Sequence, residues 1–535
     1  MGVLTESYWP AETSIPLEES TVGSVLRAAA DAHGDLPALV EGTGALAQDR
    51  RRWTFAEVLA DAEKVAGALL ERFQPGERVA VWAPNIPEWI LLEFGAGIAG
   101  IVLVTVNPAY KPKELDYVLR QSGASGIFLV PEFRGNPMAA SLEEVRPSLP
   151  ALREAIDFAD WDEFLASSPP NPTFPDVQPG DPAQIQYTSG TTGFPKGALL
   201  HHRGLTNNAR IYASLTGIRP GDTYLNPFPM FHTAGCVLGA LGALQSGACH
   251  VPVYAFDPSL MLELAETEKA DILLGVPTVL LALLECPDLE KRDLSTVRVA
   301  LSGGSTVPAD LVRRVESSFG VQFSIVYGTT ECSPLITQVR LDDDFVDKTE
   351  TLGRPIPQTE VKIIDPVSND IVACGAIGEL CARGYNVMTG YYDMPEQTAA
   401  AIDDEGWYHT GDLASMDDRG FLRIEGRLKD MIIRGGENIY PREIEDLLFE
   451  HAKVGEVAVV GVPDEKWGEI VVAFIRTAPG ETLTGDELFA YCREHLAPHK
   501  TPRHWEFIDA FPLTASGKIQ KFVLRNQFLE QHAAG

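Results

Sequence analysis

The run Gln186 to Gly197 reads QYTSGTTGFPKG. After Thr188 it places Ser189, Gly190, Thr191, Thr192 and Gly193, and it closes on Lys196. Small residues let backbone N–H groups approach phosphate oxygens, hydroxyls add donors, and the lysine adds charge. The spacing is not that of the common phosphate loop, which needs four residues between its first glycine and Gly-Lys-Ser/Thr. Ala183 to Tyr187 and Gly197 to His201 read as strands, with a helix starting only after Arg203. The loop therefore joins strand to strand, and a helix dipole is not its main anion stabiliser. A plain Ser/Thr/Gly hairpin would share the central residues but not the Pro-Lys-Gly that follows them.

Related chemistry recurs further on. VYGTTEC, Val326 to Cys332, ends a strand in hydroxyls and one acid. Tyr327 can stack on a base, and Glu331 can hold a Mg²⁺ ion that bridges phosphates. LSGGS, Leu301 to Ser305, is a second glycine-rich strand end. In GWYHTGDLA, Asp412 follows a glycine at an expected turn. There it could accept two hydrogen bonds from a ribose diol, or simply close an Asx turn. Arg427 and Lys429 lie in RIEGRLKDMIIRGGENIYP, and Lys518 follows Gly517 in the polar turn of PLTASGKIQK.

The elements that must position these groups alternate between strand and helix patterns. RVAVWAP, IVLVTVNP, GIFLVP and VRVALSGG are buried strands ending in turns, and IPEWILLEFGAGIAG has helical spacing. That is the pattern of an α/β protein with largely parallel sheets, in which ligands sit at the carboxyl ends of strands. A Pro-rich connector, Ser167 to Gln184, precedes the first loop. Beyond Arg427 a new pattern begins: Ile444, Leu447 and Leu448 form an apolar helical face, followed by the strands VGEVAVVGVPD and IVVAFIRT and the helix LTGDELFAYCREHL. The expected domains are residues 1–428 and a small α+β domain, residues 429–535.

At 535 residues the chain needs more than one core. A net charge of −32 argues against a nucleic-acid partner. The seven cysteines have no C-x-x-C spacing, so neither a zinc site nor a disulfide framework is expected, and a reducing cytoplasm is the default. Cys332, beside Glu331, is expected to be a packed, inert thiol. The N-terminus lacks a basic region followed by an apolar run, and QHAAG at the C-terminus is not a targeting tripeptide. The apolar stretch Phe94 to Val106, about 13 residues, is too short to span a bilayer.

Taken in order, YTSGTTGFPKG, YGTTE, the GRP at Gly353 to Pro355, YHTGD, GRLKDMIIRGGENIYPREIE and PLTASGKIQK resemble the motifs of the adenylate-forming superfamily: acyl-CoA synthetases, luciferases and peptide-synthetase adenylation domains. The resemblance runs from about Thr21 to Gln527. It implies a large N-terminal domain of stacked αβ layers with a small β-barrel, and a mobile C-terminal domain. It also implies a reaction in which a carboxylate attacks the α-phosphate of ATP, and a thiol then attacks the acyl-adenylate.

By the same resemblance, the Thr188 to Lys196 loop holds the β- and γ-phosphates, and Thr188 and Glu331 surround Mg²⁺. Gly303, Gly304 and Ser305, with Tyr327, form the adenine site, Thr329 meets the α-phosphate, and Gly328 and Thr330 are further ATP-binding positions. Asp412 and Arg427 hold the ribose. Lys518 stabilises charge in the adenylation transition state. Lys429 is the hinge of a domain swing that brings Gly435 and Gly436 to a narrow channel for coenzyme A.

Amino-acid-activating members place an acid near His232, yet no acid lies between Thr223 and Ala255. His232 is expected as a gate or wall residue, or simply as a structural histidine. Cys236, Val237, Ala240, Leu335 and Ile336 are expected to line a pocket for an aliphatic tail. The pattern is most similar to medium-chain or fatty acyl-CoA synthetases. The alternatives are an aryl or other acid–CoA ligase, an enzyme loading a separate carrier protein, a luciferase-like oxygenase and a catalytically silent scaffold. A homodimer is left open.

Overall fold

The computed structural model describes residues 3–188, 195–435, 437–464, 466–512 and 519–532. The chain divides into two compact units. The larger comprises Tyr8–Val361 and Cys381–His409, and the smaller Met1–Ser7, Lys362–Leu380 and Thr410–Gly535.

The larger unit is α/β, as the alternating pattern predicts. Its seven-stranded sheet runs Gly390–Tyr391, Lys196–His201, Pro182–Thr188, Val102–Thr105, Arg78–Trp82, Gly126–Leu129 and Glu154–Asp157. The last five strands are parallel neighbours. A nine-stranded sheet has a parallel core through Gln322–Gly328, Val299–Gly303, Ile272–Leu274, Thr223–Asn226, Cys249–Pro252 and Pro37–Val40. The central parallel strands, such as Arg78–Trp82, Val102–Thr105, Gly126–Leu129 and Val299–Gly303, are buried on both faces, hence their continuous apolar runs, whereas the edge strand Glu154–Asp157 is half-buried.

The glycine-rich stretch after Pro87 forms the helix Pro87–Ala99, every residue of which is buried. Proline occupies its first turn and Gly100, at φ +67°, ends it. Its glycines serve packing. A side chain on Gly95 would collide with Val65, and one on Gly97 with Val22. The helices Val22–His33 and Phe55–Leu70 therefore approach closely, each begun by a capping box, Thr21/Ser24 and Thr54/Glu57.

In the smaller unit the long antiparallel strands Val454–Asp464 and Gly468–Thr477 make the most extensive pairing of one sheet. The short strands Ile432–Arg434 and His504–Phe507 both pair with Gly468–Thr477. The helix Pro441–Phe449 buries Ile444 and Leu448 against this sheet, with Leu447 at the edge of the cluster. The helix Gly485–His495 adds Leu488 and Cys492. Six of the seven cysteines are buried and none is in a disulfide.

Candidate active site

The phosphate-type run is anchored as a strand hairpin. Thr188 ends one strand and Lys196 begins its antiparallel neighbour, and the two are register partners. The Thr188 hydroxyl points to the Lys196 carbonyl at 3.5 Å. The next helix is His202–Thr216, two residues earlier than a start after Arg203. His201 caps it: Nδ1 accepts from the Gly204 N–H at 2.9 Å. Nε2 lies 3.3 Å from the Val387 carbonyl, so it carries the proton. Burial lowers the His201 pKa and keeps the ring neutral. Ser189, Gly190, Thr191, Thr192 and Gly193 lie outside the described residues.

Glu331 sits in a short turn, Thr330–Cys332, after the strand Gln322–Gly328, and is only 7% exposed. Its Oε1 accepts from the Tyr391 hydroxyl at 2.8 Å, and its carbonyl accepts from the Met388 N–H at 2.7 Å. Tyr391 belongs to the edge strand that pairs with Lys196–His201. The Lys196 ammonium lies over its ring, 4.8 Å from the centroid. Burial, and then the Glu331 charge, push the Tyr391 phenol pKa up, so it stays a donor. One phenol thus connects the lysine of the first motif to the acid of the second.

The turn carrying Glu331 is braced from the side. Asn208 of the helix His202–Thr216 exchanges hydrogen bonds with Leu335, N–H to Oδ1 and Nδ2 to carbonyl, each 3.0 Å. Asn386 Nδ2 donates to the same carbonyl at 2.9 Å, and the Ser333 hydroxyl donates to the Asn386 carbonyl at 2.8 Å. Buried amides that pair in this way fix a loop that would otherwise fray.

Gly303 ends its strand beside Val326, whose carbonyl leaves no room for a Cβ. Gly304 follows at φ +77°, a conformation that side chains rarely adopt, and Ser305 is exposed. Tyr327 and Thr329 are half-buried, and Gly328 is pressed against the Pro334 carbonyl. The two glycine-rich strand ends come from adjacent parallel strands, the edge where α/β sheets bind ligands.

The expected acyl-pocket residues fall on two elements. Cys236 and Val237 lie in a π-helical segment, Ala234–Leu241, and Leu335 and Ile336 on the strand Leu335–Gln338; all four are buried. π-Helical turns concentrate at functional sites. His232 is half-buried and packs on Phe231, ring centroids 5.1 Å apart. Behind Cys236 runs a buried polar chain that sequence reading missed. Gln186 Nε2 donates to Gln184 Oε1 at 2.7 Å and lies 3.1 Å from Cys236 Sγ, and Gln184 Nε2 donates to Glu93 Oε1 at 2.6 Å. Burial pushes the Glu93 pKa up to about 8, so its carboxyl is uncharged at neutral pH.

In the smaller unit, Asp412 lies within the strand Tyr408–Met416, not in the turn expected of Gly-Asp. Gly411, at φ +68°, supplies the local kink while pairing continues. Asp412 is the register partner of Arg427, whose Nε donates to Oδ1 at 2.8 Å. Lys429 is exposed in the turn Leu428–Asp430. Gly435 has φ +62° and donates to the Trp467 carbonyl at 2.7 Å. Gly436 and Lys518 lie outside the described residues.

A phosphate-type hairpin and a Tyr-Gly-Thr-Thr-Glu strand end on parallel sheets define an adenylate-forming enzyme. Residues 26–392 match the family model described as AMP-binding enzyme, and residues 443–518 the one described as AMP-binding enzyme C-terminal domain. YngI of Bacillus subtilis (strain 168) is 42% identical over 544 residues, covering 96% of this chain and 98% of its own length. The mitochondrial medium-chain acyl-CoA ligase ACSF2 of Danio rerio is 39% identical over 563 residues, covering 99% of this chain and 91% of its own. ATP-bound MatB from Rhodopseudomonas palustris has a TM-score of 0.86 at 30% identity, over 95% of this chain and 99% of that one. The chain belongs to the AMP-binding enzyme family. It is an ATP-dependent acid–CoA ligase that works through an acyl-adenylate. Among the described residues, no helix is long and apolar enough to cross a membrane.

Proposed function

We propose that the acid is a medium-chain fatty acid and that free CoA in the cytoplasm is the acceptor. The observation that carries this reading is the uncharged, buried set Cys236, Val237, Leu335 and Ile336. The nearby carboxyl, Glu93, is neutral and offers no charge to pair with a substrate ammonium. The name of the Danio rerio relative, a medium-chain ligase, supports it.

In this reading a carboxylate oxygen attacks the α-phosphorus and pyrophosphate departs. The CoA sulfur then attacks the acyl carbon and AMP departs. Lys196 and the loop before it hold the β- and γ-phosphates, and Thr329, beside Thr330, meets the α-phosphate. Gly303, Gly304, Ser305, Tyr327 and Gly328 receive adenine, and the Asp412–Arg427 pair receives ribose. Lys518 stabilises charge developing at the α-phosphate. Lys429 is the hinge between the half-reactions, and Gly435 and Gly436 line the thiol channel.

Thr188 and Glu331 fit Mg²⁺, because both present hard oxygen donors and Tyr391 engages only Oε1 of the carboxylate. When bound, the ion neutralises charge on the phosphates. Tyr391 orients the carboxylate that would hold it.

CoA- and ATP-dependent AMP release, measured over straight-chain acids from acetate to stearate and over aromatic acids, tests the proposal. A kcat/KM maximum among the medium-chain acids is expected. A maximum on aromatic acids, or release that needs a carrier protein instead of CoA, would overturn it.

A further inference from the structure

Three buried polar side chains stand on one face of the seven-stranded sheet. Gln184 and Gln186 lie two residues apart on the strand Pro182–Thr188, and Thr105, the register partner of Gln186, lies on the next strand. All three are at most 2% exposed. They reach the segment that leads into the π-helical turn. The Thr105 hydroxyl donates to the Phe231 carbonyl at 2.9 Å. Asn85 adds two ties, Nδ2 to the Phe228 carbonyl and Oδ1 from the Met230 N–H, each 2.9 Å. Gln186 Nε2 lies 3.1 Å from Cys236 Sγ, and the Cys236 thiol donates to Gln184 Oε1 at 3.7 Å. Gln184 Nε2 donates in turn to Glu93 Oε1 at 2.6 Å. The place of the Cys236 sulfur is thus set by a chain that begins at Glu93.

Packing alone does not ask for an acid at Glu93. It is 2% exposed, and its Oε2 has no hydrogen-bond partner among the described residues. A buried polar atom without a partner costs stability, whereas an apolar set of the same shape is often neutral or better. What Glu93 supplies is direction. The Gln184 amide has one donor end and one acceptor end. It presents Oε1 to Gln186 and Cys236 because Nε2 finds an acceptor on its other side, at Glu93. With that acceptor removed nothing selects this orientation, and the flipped amide would set its NH₂ against the Gln186 NH₂. The two amides and the thiol would then have to rearrange together.

We propose that Glu93 is a positioning residue for acyl selectivity: through Gln184 and Gln186 it fixes Cys236 in the wall that meets the acyl tail. The proposal rests on the reading of Cys236 as an acyl-pocket residue. A medium-chain acid gains from a wall held in one shape, and a short acid that does not extend to it gains nothing. Glu93 itself touches no reactant.

The test is ATP–pyrophosphate exchange on the full chain, with KM measured for octanoate, butanoate, benzoate and Mg·ATP. Glu93→Leu should raise the KM for octanoate about tenfold. It should leave the values for butanoate and Mg·ATP unchanged, so the preference for the longer acid falls by the same factor. Glu93→Gln keeps an acceptor for Gln184 and should restore the wild-type preference. Gln184→Leu breaks the chain at its next link and should act like Glu93→Leu, which decides the matter if Glu93→Leu fails to fold. Equal rises for octanoate, butanoate and Mg·ATP would mark general structural damage and overturn the proposal. So would an unchanged preference in the leucine variants, or a loss in Glu93→Gln as large as in Glu93→Leu. A wild type that prefers benzoate to octanoate would overturn the medium-chain reading instead, and that result precedes any substitution.

Discussion

The Tyr391 hydroxyl is joined to Glu331 Oε1 by a 2.8 Å hydrogen bond. The acid follows a strand of the nine-stranded sheet, while the phenol rides on the edge strand of the seven-stranded one. The same ring supports the Lys196 ammonium. Groups expected to serve the metal and the phosphates of ATP are therefore set by one side chain that itself need not touch the nucleotide.

Tyr391→Phe keeps the ring under Lys196 and removes only the donor to Glu331. Leaving a buried carboxylate oxygen unsatisfied costs about 1–3 kcal/mol. ATP–pyrophosphate exchange should fall roughly tenfold, mostly as a higher KM for Mg·ATP, with a lower Tm. Unchanged exchange would show that Tyr391 has no positioning role.

Lys518→Ala should abolish adenylation. It should leave thioester formation from preformed acyl-adenylate largely intact. Measuring the two half-reactions separately checks this, and equal losses in both would remove the assigned role.

Lys429→Pro restricts the backbone at the expected hinge. ATP–pyrophosphate exchange should persist while acyl-CoA formation is lost. Full overall turnover in this variant would place the hinge elsewhere.

Glu93 gives a pH signature. Its pKa is raised from about 4.5 to about 8, so between those values the native state holds a proton that the unfolded chain releases. Its stabilising contribution is full below about pH 4.5 and is lost as pH rises through 8. His202 and His250, lowered by burial to about 4 and about 3, act in the opposite sense, losing stability as pH falls below about 6.5. The comparison therefore belongs above pH 7. Between pH 7 and 9, urea unfolding of the wild type should lose about 1.4 kcal/mol that Glu93→Gln does not lose. Parallel curves for the two proteins would mean that Glu93 is already ionised at neutral pH.

Much of the fold was legible because both main sheets have a buried parallel core, so strands such as Arg78–Trp82 and Val299–Gly303 appear as unbroken apolar runs. The phosphate hairpin and the Glu331 turn were legible because their chemistry demands glycines, hydroxyls and a charge within a few residues. Tyr391 was not. It lies 195 positions from Lys196 and 60 from Glu331, and only strand pairing brings it to both. Glu93 was hidden inside a helix whose every face is buried, where one acid breaks no visible periodicity. Asp412 was placed in a turn because Gly-Asp is a turn signal. In the structure a positive-φ glycine bends the strand without ending it.

The cysteines have a consequence for selectivity. An acyl-adenylate acylates any thiolate it meets, and the enzyme must hand it to an external one. Burial raises the pKa of the Cys249 and Cys492 thiols to about 12 and about 11, and pushes those of Cys236 and Cys332 up as well. These four sulfurs remain protonated at neutral pH and are poor nucleophiles. The protein can thus make a potent acylating agent beside its own sulfur atoms and still spare itself from being the product.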